Sequence, residues 1–293
     1  MRIFMLTALV MVAFAANSVL NRMAVGVAGL DPAFVAVLRL GAGAAVLLLL
    51  VLRRGRPHLP RGQWLWGVAS LSTYIFGFSI ASGRVDAGVG ALVLFGAVQI
   101  TMFAGALRGR EPVGRWRWIG AALAFLGLLA LMWPGGAARL DVWGLAAMAF
   151  AGMGWGLYSL TGRGARDPLA LSAINFAGAW PLALLWLGAA GDTGQGQLWG
   201  IWPAVISGAV TSGLGYALWY RVLPHLAASV AAVAQLSVPL LATLGGAVML
   251  GEVPSLRFWI AALLVLGGIA LSLKKQSVSA EHSVSMSPGQ SAP

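Results

Sequence analysis

The sequence predicts an all-α polytopic membrane protein of ten transmembrane helices, organised as two inverted-topology repeats of five. Three observations carry that prediction. Only 9% of the 293 residues are charged and 59% are apolar, where soluble domains carry about 25% charged residues. Apolar stretches of about 20 residues recur along the chain, the length that crosses roughly 30 Å of hydrocarbon in which no water can satisfy the backbone. The second half of the chain also echoes residues of the first at a near-constant offset.

The first span, about residues 3 to 25, follows Arg2 and stays apolar to Val25. Its Ala13-Phe14-Ala15 imitates a signal-peptide cleavage site, but the apolar run continues well past it, so the segment is expected to be retained. Gly29-Leu30-Asp31-Pro32 breaks the chain and opens the second span, about 33 to 52, which stops at Arg53-Arg54. The third, about 63 to 82, follows Arg56-Pro57 and Arg61, and the fourth, about 86 to 107, ends at Arg108 before Glu111-Pro112. The fifth, about 117 to 134, runs from Arg117 to Pro134-Gly135-Gly136. The sixth, about 141 to 161, ends before Arg163, and Asp167-Pro168 opens the seventh, about 168 to 189, closed by Gly191-Asp192. The eighth, about 198 to 220, meets Arg221; the ninth, about 225 to 250, meets Val253-Pro254; the tenth, about 256 to 274, ends at Lys274-Lys275. Such short separators make tight helical hairpins. Gln276 to Pro293, rich in serine and proline, is expected to be a disordered cytoplasmic tail.

The formal charge of +11 first looks like that of a nucleic-acid binder. Its distribution argues otherwise. Fourteen of the nineteen lysines and arginines fall in alternate loops, on one side of the membrane, while Arg84, Arg139 and Arg257 fall on the other and Arg22 and Arg39 lie inside spans. That is the positive-inside pattern, and it places both termini in the cytoplasm of a multi-pass protein of the cell inner (plasma) membrane. No basic stripe with interleaved aromatics forms, which excludes nucleic acid as a partner. The absence of cysteine excludes disulfides, thiolate metal sites and cysteine nucleophiles.

At an offset of 141 residues Gly105 aligns with Gly246, Glu111 with Glu252, Trp118 with Trp259, Ile119 with Ile260 and Gly127 with Gly268; at 136, Phe14-Ala15 aligns with Phe150-Ala151 and Asp31-Pro32 with Asp167-Pro168. The chain therefore divides into repeats at residues 1–136 and 137–275, with 276–293 as the tail. Five is odd, so the second copy enters the membrane from the opposite side. Two such halves related by an axis in the membrane plane provide two near-equivalent conformations, one open to each side.

Residues spread over 1 to 275 carry a resemblance to a known family: Phe14-Ala15-Ala16-Asn17 with Arg22, Pro32 with Arg39, Trp155 with Tyr158, and Tyr216-Ala217-Leu218-Trp219, Pro239 and Leu250-Gly251-Glu252. On these the sequence resembles an EamA-type permease of the drug/metabolite transporter superfamily, whose amino-acid exporter branch includes exporters of aromatic amino acids. Phe14 departs from the family's common tryptophan, and Val98 stands where a proline matching Pro239 is usual, so span four is expected to be straighter than span nine. The resemblance implies a ten-helix exporter of small metabolites.

Substrate contacts are expected from two sets of side chains. Asn17, Asn21, Ser79, Gln99, Gln235 and Ser237 are neutral polar groups inside spans, suited either to interhelical bonds or to lining a cavity. Tyr74 and Phe78, Trp155 and Tyr158, and Tyr216 and Trp219 are aromatic pairs three or four residues apart, each sharing a helix face, and can box an apolar or aromatic solute. Trp64, Trp66, Trp118, Trp133, Trp143 and Trp259 are expected in an interfacial belt, as are Trp116 and Trp199. Arg22 and Arg39 are expected to snorkel or to pair with Asp31 or Asp86; Pro239 breaks its helix; Glu111 and Glu252 occupy equivalent loop starts, with a structural role ahead of a gating one. The expected protein is a monomeric secondary transporter of amino acids or similar metabolites, embedded in the lipid bilayer, with no metal and no cofactor. Export of another metabolite or drug-like solute is the alternative. An intramembrane enzyme acting on a lipid-soluble substrate is less favoured, since the serines of the spans have no His or Lys base at matching depth.

Overall fold

The computed structural model describes residues 1–55, 62–82, 84–85, 87–133, 141–190, 196–250 and 255–273. Helix follows helix. In chain order they are α1 (Arg2–Val27), α2 (Pro32–Arg54), α3 (Gln63–Ser82), α4 (Ala87–Arg108) and α5 (Arg115–Met132). Then come α6 (Val142–Gly162), α7 (Pro168–Ala190), α8 (Leu198–His225), α9 (Ala228–Gln235 continued by Val238–Leu250) and α10 (Leu256–Ser272). Glu252 and the tail from 276 to 293 lie outside the described residues.

The breakers act as helix caps. Asp31 precedes Pro32, the first residue of α2, and its carboxylate accepts from the N–H groups of Ala33 and Phe34 at 2.8 and 3.1 Å. Asp141 accepts from Gly144 N–H at 2.6 Å to start α6, and Asp167 from Ala170 N–H at 3.2 Å to start α7. Each carboxylate satisfies an orphan donor and faces the positive end of the helix.

Among the described residues, eight helices are long and apolar enough to cross a membrane, two fewer than the ten expected. The chain is thus a multi-pass membrane protein. The two outside that set are α10, only 17 residues long, and α6, which has 21 residues but interleaves glycine and tryptophan among its aliphatic ones.

Two features of backbone were not legible as periodicity. The last six residues of α1, Arg22–Val27, and the eight residues Ser207–Leu214 within α8 wind as π-helix. In α9 the helix breaks at Leu236 and Ser237, whose N–H groups bond back to Val233 and Ala234, while α4 runs unbroken through Val98. Pro239 has no N–H for the helix ladder and its ring crowds the preceding turn, which accounts for the break.

Packing pairs α2 with α7, α5 with α10, α4 with α9, α6 with both α3 and α4, and α1 with both α8 and α9. Small residues set the closest crossings. A methyl on Gly208 of α8 would sit 2.7 Å from the Arg39 Cα of α2, and one on Gly268 of α10 would sit 2.6 Å from the Ala124 N of α5. Lipid supplies no hydrophobic drive between helices, so such close backbone approach provides the van der Waals contact. The largest buried side chains, including Trp219, Tyr158, Tyr216, Tyr220 and Phe176, gather at the centre, while Leu185, Val248 and Leu263 face outward. Trp64, Trp66, Trp118, Trp133, Trp143 and Trp259 are exposed, as expected of an interfacial belt.

Candidate functional site

At the centre of the bundle four helices bring their aromatic side chains together. Trp155 of α6 contacts Phe14 of α1 edge to face (5.2 Å between centroids), Tyr74 of α3 (5.0 Å) and Tyr216 of α8 (4.7 Å), and it stacks on Tyr158 one turn along its own helix (5.6 Å). Tyr158 also meets Tyr220 at 4.6 Å, and Phe14 meets Trp219 at 5.7 Å. Edge-to-face and tilted contacts at these separations are the favoured geometries of ring quadrupoles. The aromatic pairs expected from sequence spacing thus converge into one cluster, with Phe78 at its margin, 6.2 Å from Tyr74.

Polar groups tie this cluster to the broken helix. The Trp155 indole N–H donates to Gln235 Oε1 at 2.5 Å, and the Gln235 amide nitrogen reaches Met102 Sδ at 3.1 Å and the Ala231 carbonyl at 3.2 Å. Trp219 donates to Ser159 Oγ at 3.0 Å. Gln99 donates to the Ala232 carbonyl at 2.9 Å, but its own Oε1 is buried without a protein partner, as is the Asn175 Oδ1. Unsatisfied buried oxygens of this kind cost about 1–3 kcal/mol each, and they are groups that a polar ligand or water can satisfy. Ser237 is satisfied locally, donating to the Ala234 carbonyl at 2.8 Å.

A second constellation surrounds Arg39. Of the two carboxylates expected as its partners, Asp31 serves as the cap of α2, and Asp86 lies outside the described residues. Arg39 is only 5% exposed. Its Nε donates to Ser212 Oγ at 2.7 Å, its Nη2 to the Tyr216 hydroxyl at 2.5 Å, and its guanidinium lies 5.9 Å from the Tyr74 ring centre. Asn17 completes the network, its Oδ1 accepting from Ser207 (2.5 Å), Ser212 (3.1 Å) and Thr211 (3.4 Å). In an α-helix residues five apart diverge by about 140°. The wider i→i+5 winding of the π segment brings Ser207, Thr211 and Ser212 to one side of α8.

Among the described residues no acidic side chain pairs with Arg39; the partners of its N–H groups are the neutral oxygens of Ser212 and Tyr216. Guanidinium keeps its proton in proteins, so burial does not neutralise it. A buried charge without a counter-ion costs several kcal/mol and marks a functional position in a membrane protein. Arg39 also lines a small recess with Asn21, Val35, Ile75, Phe78 and Ser79, at the end of the bundle where α1 and α3 finish and α2 begins.

At the opposite, basic end, ion pairs and hydrogen bonds join the helix ends. Glu111, just after α4, forms an ion pair with Arg163 at the end of α6, and its other oxygen accepts from the Ala228 N–H at 2.9 Å, the first residue of α9. Arg163 donates to the Leu226 carbonyl at 2.9 Å, and Arg54 pairs with Asp167 at 3.3 Å. Arg22, in contrast, opens the π turn of α1 and is exposed.

Sequence reasoning placed Tyr74, Trp155, Tyr158, Tyr216 and Trp219 together and located Asn17 and Gln235, but not the hydroxyls of Ser207 and Ser212, which reach Asn17 through the π winding. The signal for them was faint: a run of small and polar residues, Ser207-Gly208-Ala209-Val210-Thr211-Ser212-Gly213, inside an otherwise apolar span.

Comparison with known proteins covers nearly the whole chain. Residues 1–133 and 141–274 each match the model of the EamA-like transporter family. An uncharacterized protein of Pseudomonas aeruginosa is 48% identical over 278 residues, covering 93% of this chain and 94% of its own. An uncharacterized transporter of Archaeoglobus fulgidus is 26% identical over 79% of this chain and 84% of its own, and the uncharacterized transporter YwfM of Bacillus subtilis is 26% identical over 83% and 86%. A solved crystal structure superposes with a TM-score of 0.80 at 19% identity, covering 93% of this chain and 97% of that one, and so shares its fold. These relatives point to transport rather than catalysis.

Proposed function

The chain belongs to the EamA-like transporter family, and from that premise we propose that it is a secondary transporter exporting small amphipathic metabolites, amino acids first among them, from the cytoplasm across the cell inner membrane. The observation that carries the reading is the central cluster in which Phe14, Tyr74, Trp155 and Tyr216, from four different helices, converge beside Gln235 and the Asn17–Arg39 network. Aromatic faces and neutral polar groups suit a solute that is apolar at one end and polar at the other.

Alternating access between two inverted five-helix repeats is the proposed mechanism. Equivalent helices begin at equivalent places: Ala228 lies 141 residues after Ala87, Leu256 the same distance after Arg115, and Pro168 lies 136 after Pro32. Packing has the same symmetry, since α2, α4 and α5 each meet their own counterparts, and the contacts of α1 with α8 and α9 mirror those of α6 with α3 and α4. On this reading α6 and α10 also cross the membrane and bring the number of spans to ten. At 1.5 Å per residue α6 is about 31 Å long, and α10 lies along α5. Basic residues at the Glu111 end support a cytoplasmic location for that end and for both termini. Ties across it, with a recess at the opposite end, then describe a state closed to the cytoplasm.

Reconstituted vesicles preloaded with radiolabelled amino acids test the proposal. Efflux of at least one amino acid above protein-free vesicles is expected, and no movement of any of them overturns the substrate class.

A further inference from the structure

We infer that Arg39 anchors the carboxylate of the transported solute, so that the protein selects small acids by their anionic end and requires no amino group on them. This rests on the reading of the chain as a transporter and adds the chemistry that its site recognises. A guanidinium presents five donors in a planar fork matched to a carboxylate. Here one N–H goes to Ser212 and one to Tyr216, both neutral oxygens, and among the described residues no carboxylate balances the charge. Arg39 is buried yet lines the recess, so a counter-ion for it can arrive from the recess as a ligand.

The recess has room for about one water, so an entering solute parts the helices around it, and the lining then meets the remainder of that solute with polar and apolar groups. Asn21 and Ser79 offer an amide and a hydroxyl, and Val35, Ile75 and Phe78 offer apolar surface. Among the described residues no aspartate or glutamate lines it, and the Tyr74 ring face is already taken by Arg39 itself. An ammonium therefore finds no dedicated partner, and a cationic solute without a carboxylate is repelled by the guanidinium. Amino acids qualify through their carboxylates, and the corresponding 2-oxo and 2-hydroxy acids qualify equally.

Binding to the full-length wild-type protein in detergent tests this with two matched series. One is L-phenylalanine, phenylpyruvate, phenylalaninamide and phenethylamine; the other is L-leucine, its 2-oxo acid, its amide and its amine. Amino acid and oxo acid of one series are expected to bind within about threefold of each other, and amide and amine at least roughly tenfold more weakly. Arg39→Gln is expected to remove the preference for the acids, and Arg39→Lys to retain part of it. Should Arg39→Gln fail to fold, the wild-type comparison of acid with amide still decides. Equal binding of acid and amide, or no binding of any acid in either series, overturns the inference. Vesicle transport separates it from the reading beneath it. Acids that bind but do not cross sink the transport reading and leave Arg39 its role; amines that cross in preference to acids do the reverse.

Discussion

Phe14 and Trp155, 141 residues apart in the chain, meet edge to face with ring centroids 5.2 Å apart and planes 82° apart. They come from the first helix of each proposed repeat, α1 and α6, and so join the two halves directly. A contact between the first helices of the two proposed halves, at the centre of the bundle, lies close to the pseudo-two-fold axis that would relate them. In an inverted repeat that axis runs in the membrane plane, where a transported solute is held between the halves.

Trp155 is therefore the residue whose loss should separate transport from folding. Trp155→Phe retains a ring for Phe14, Tyr74 and Tyr216 but removes the N–H given to Gln235. Its transport rate is expected to fall about tenfold, equivalent to about 1.4 kcal/mol, with an unchanged gel-filtration profile. Wild-type rates in the folded variant would remove Trp155 from the solute path.

The Glu111–Arg163 pair predicts a shift in which side is open. Both side chains are only partly buried, and Glu111 also faces the N-terminus of α9. Weakening such a pair by Glu111→Gln costs about 1 kcal/mol, or roughly a fivefold change in the balance of two states. The chain has no native cysteine, so one introduced at Ser229, which is fully buried beside Arg117, reports opening of that end. Its alkylation is expected to quicken severalfold in Glu111→Gln; an unchanged rate would make Glu111 a static cap.

Most of the helices were legible because lipid and water impose hydropathy and charge rules on every residue of a span. Asp31-Pro32 and Asp167-Pro168 marked helix starts for the same reason: a carboxylate cap and a proline have meaning only there. What periodicity could not show was the winding inside a helix. Ser207, Thr211 and Ser212 read as scattered polar positions at 100° per residue, and only the π turns of α8 place them all on Asn17. The hydroxyl partners of Arg39 were not legible for a related reason. Its partners, Ser212 and Tyr216, are 173 and 177 residues away, whereas Asp31 is near in sequence and already bound to its own helix.

Gly208 predicts a stability effect at the crossing that carries Arg39. A methyl there would sit 2.7 Å from the Arg39 Cα, against backbone that cannot rotate away. Gly208→Ala is expected to destabilise the protein by about 1–3 kcal/mol, seen as an earlier melting transition in detergent. Unchanged melting would mean that α2 and α8 slide apart at no cost.

Asn17 distinguishes a hydrogen-bonding role from an electrostatic one. Its Oδ1 accepts from three hydroxyls, one of which, Ser212, also accepts from Arg39 Nε. Asn17→Leu removes the acceptor and leaves buried hydroxyls to find others, a loss of about 1–3 kcal/mol per orphaned group, so the variant is expected to melt earlier. Asn17→Asp keeps an acceptor in the same place and adds a negative charge one hydroxyl away from the guanidinium. Such a resident anion stabilises Arg39 and competes with any anion arriving from the recess. The aspartate variant is therefore expected to melt no earlier than wild type and yet to bind carboxylates at least roughly tenfold more weakly. A purely structural Asn17 predicts the opposite pairing for Asn17→Asp, lower stability with unchanged binding, so melting and binding measured on the same two preparations decide between the roles.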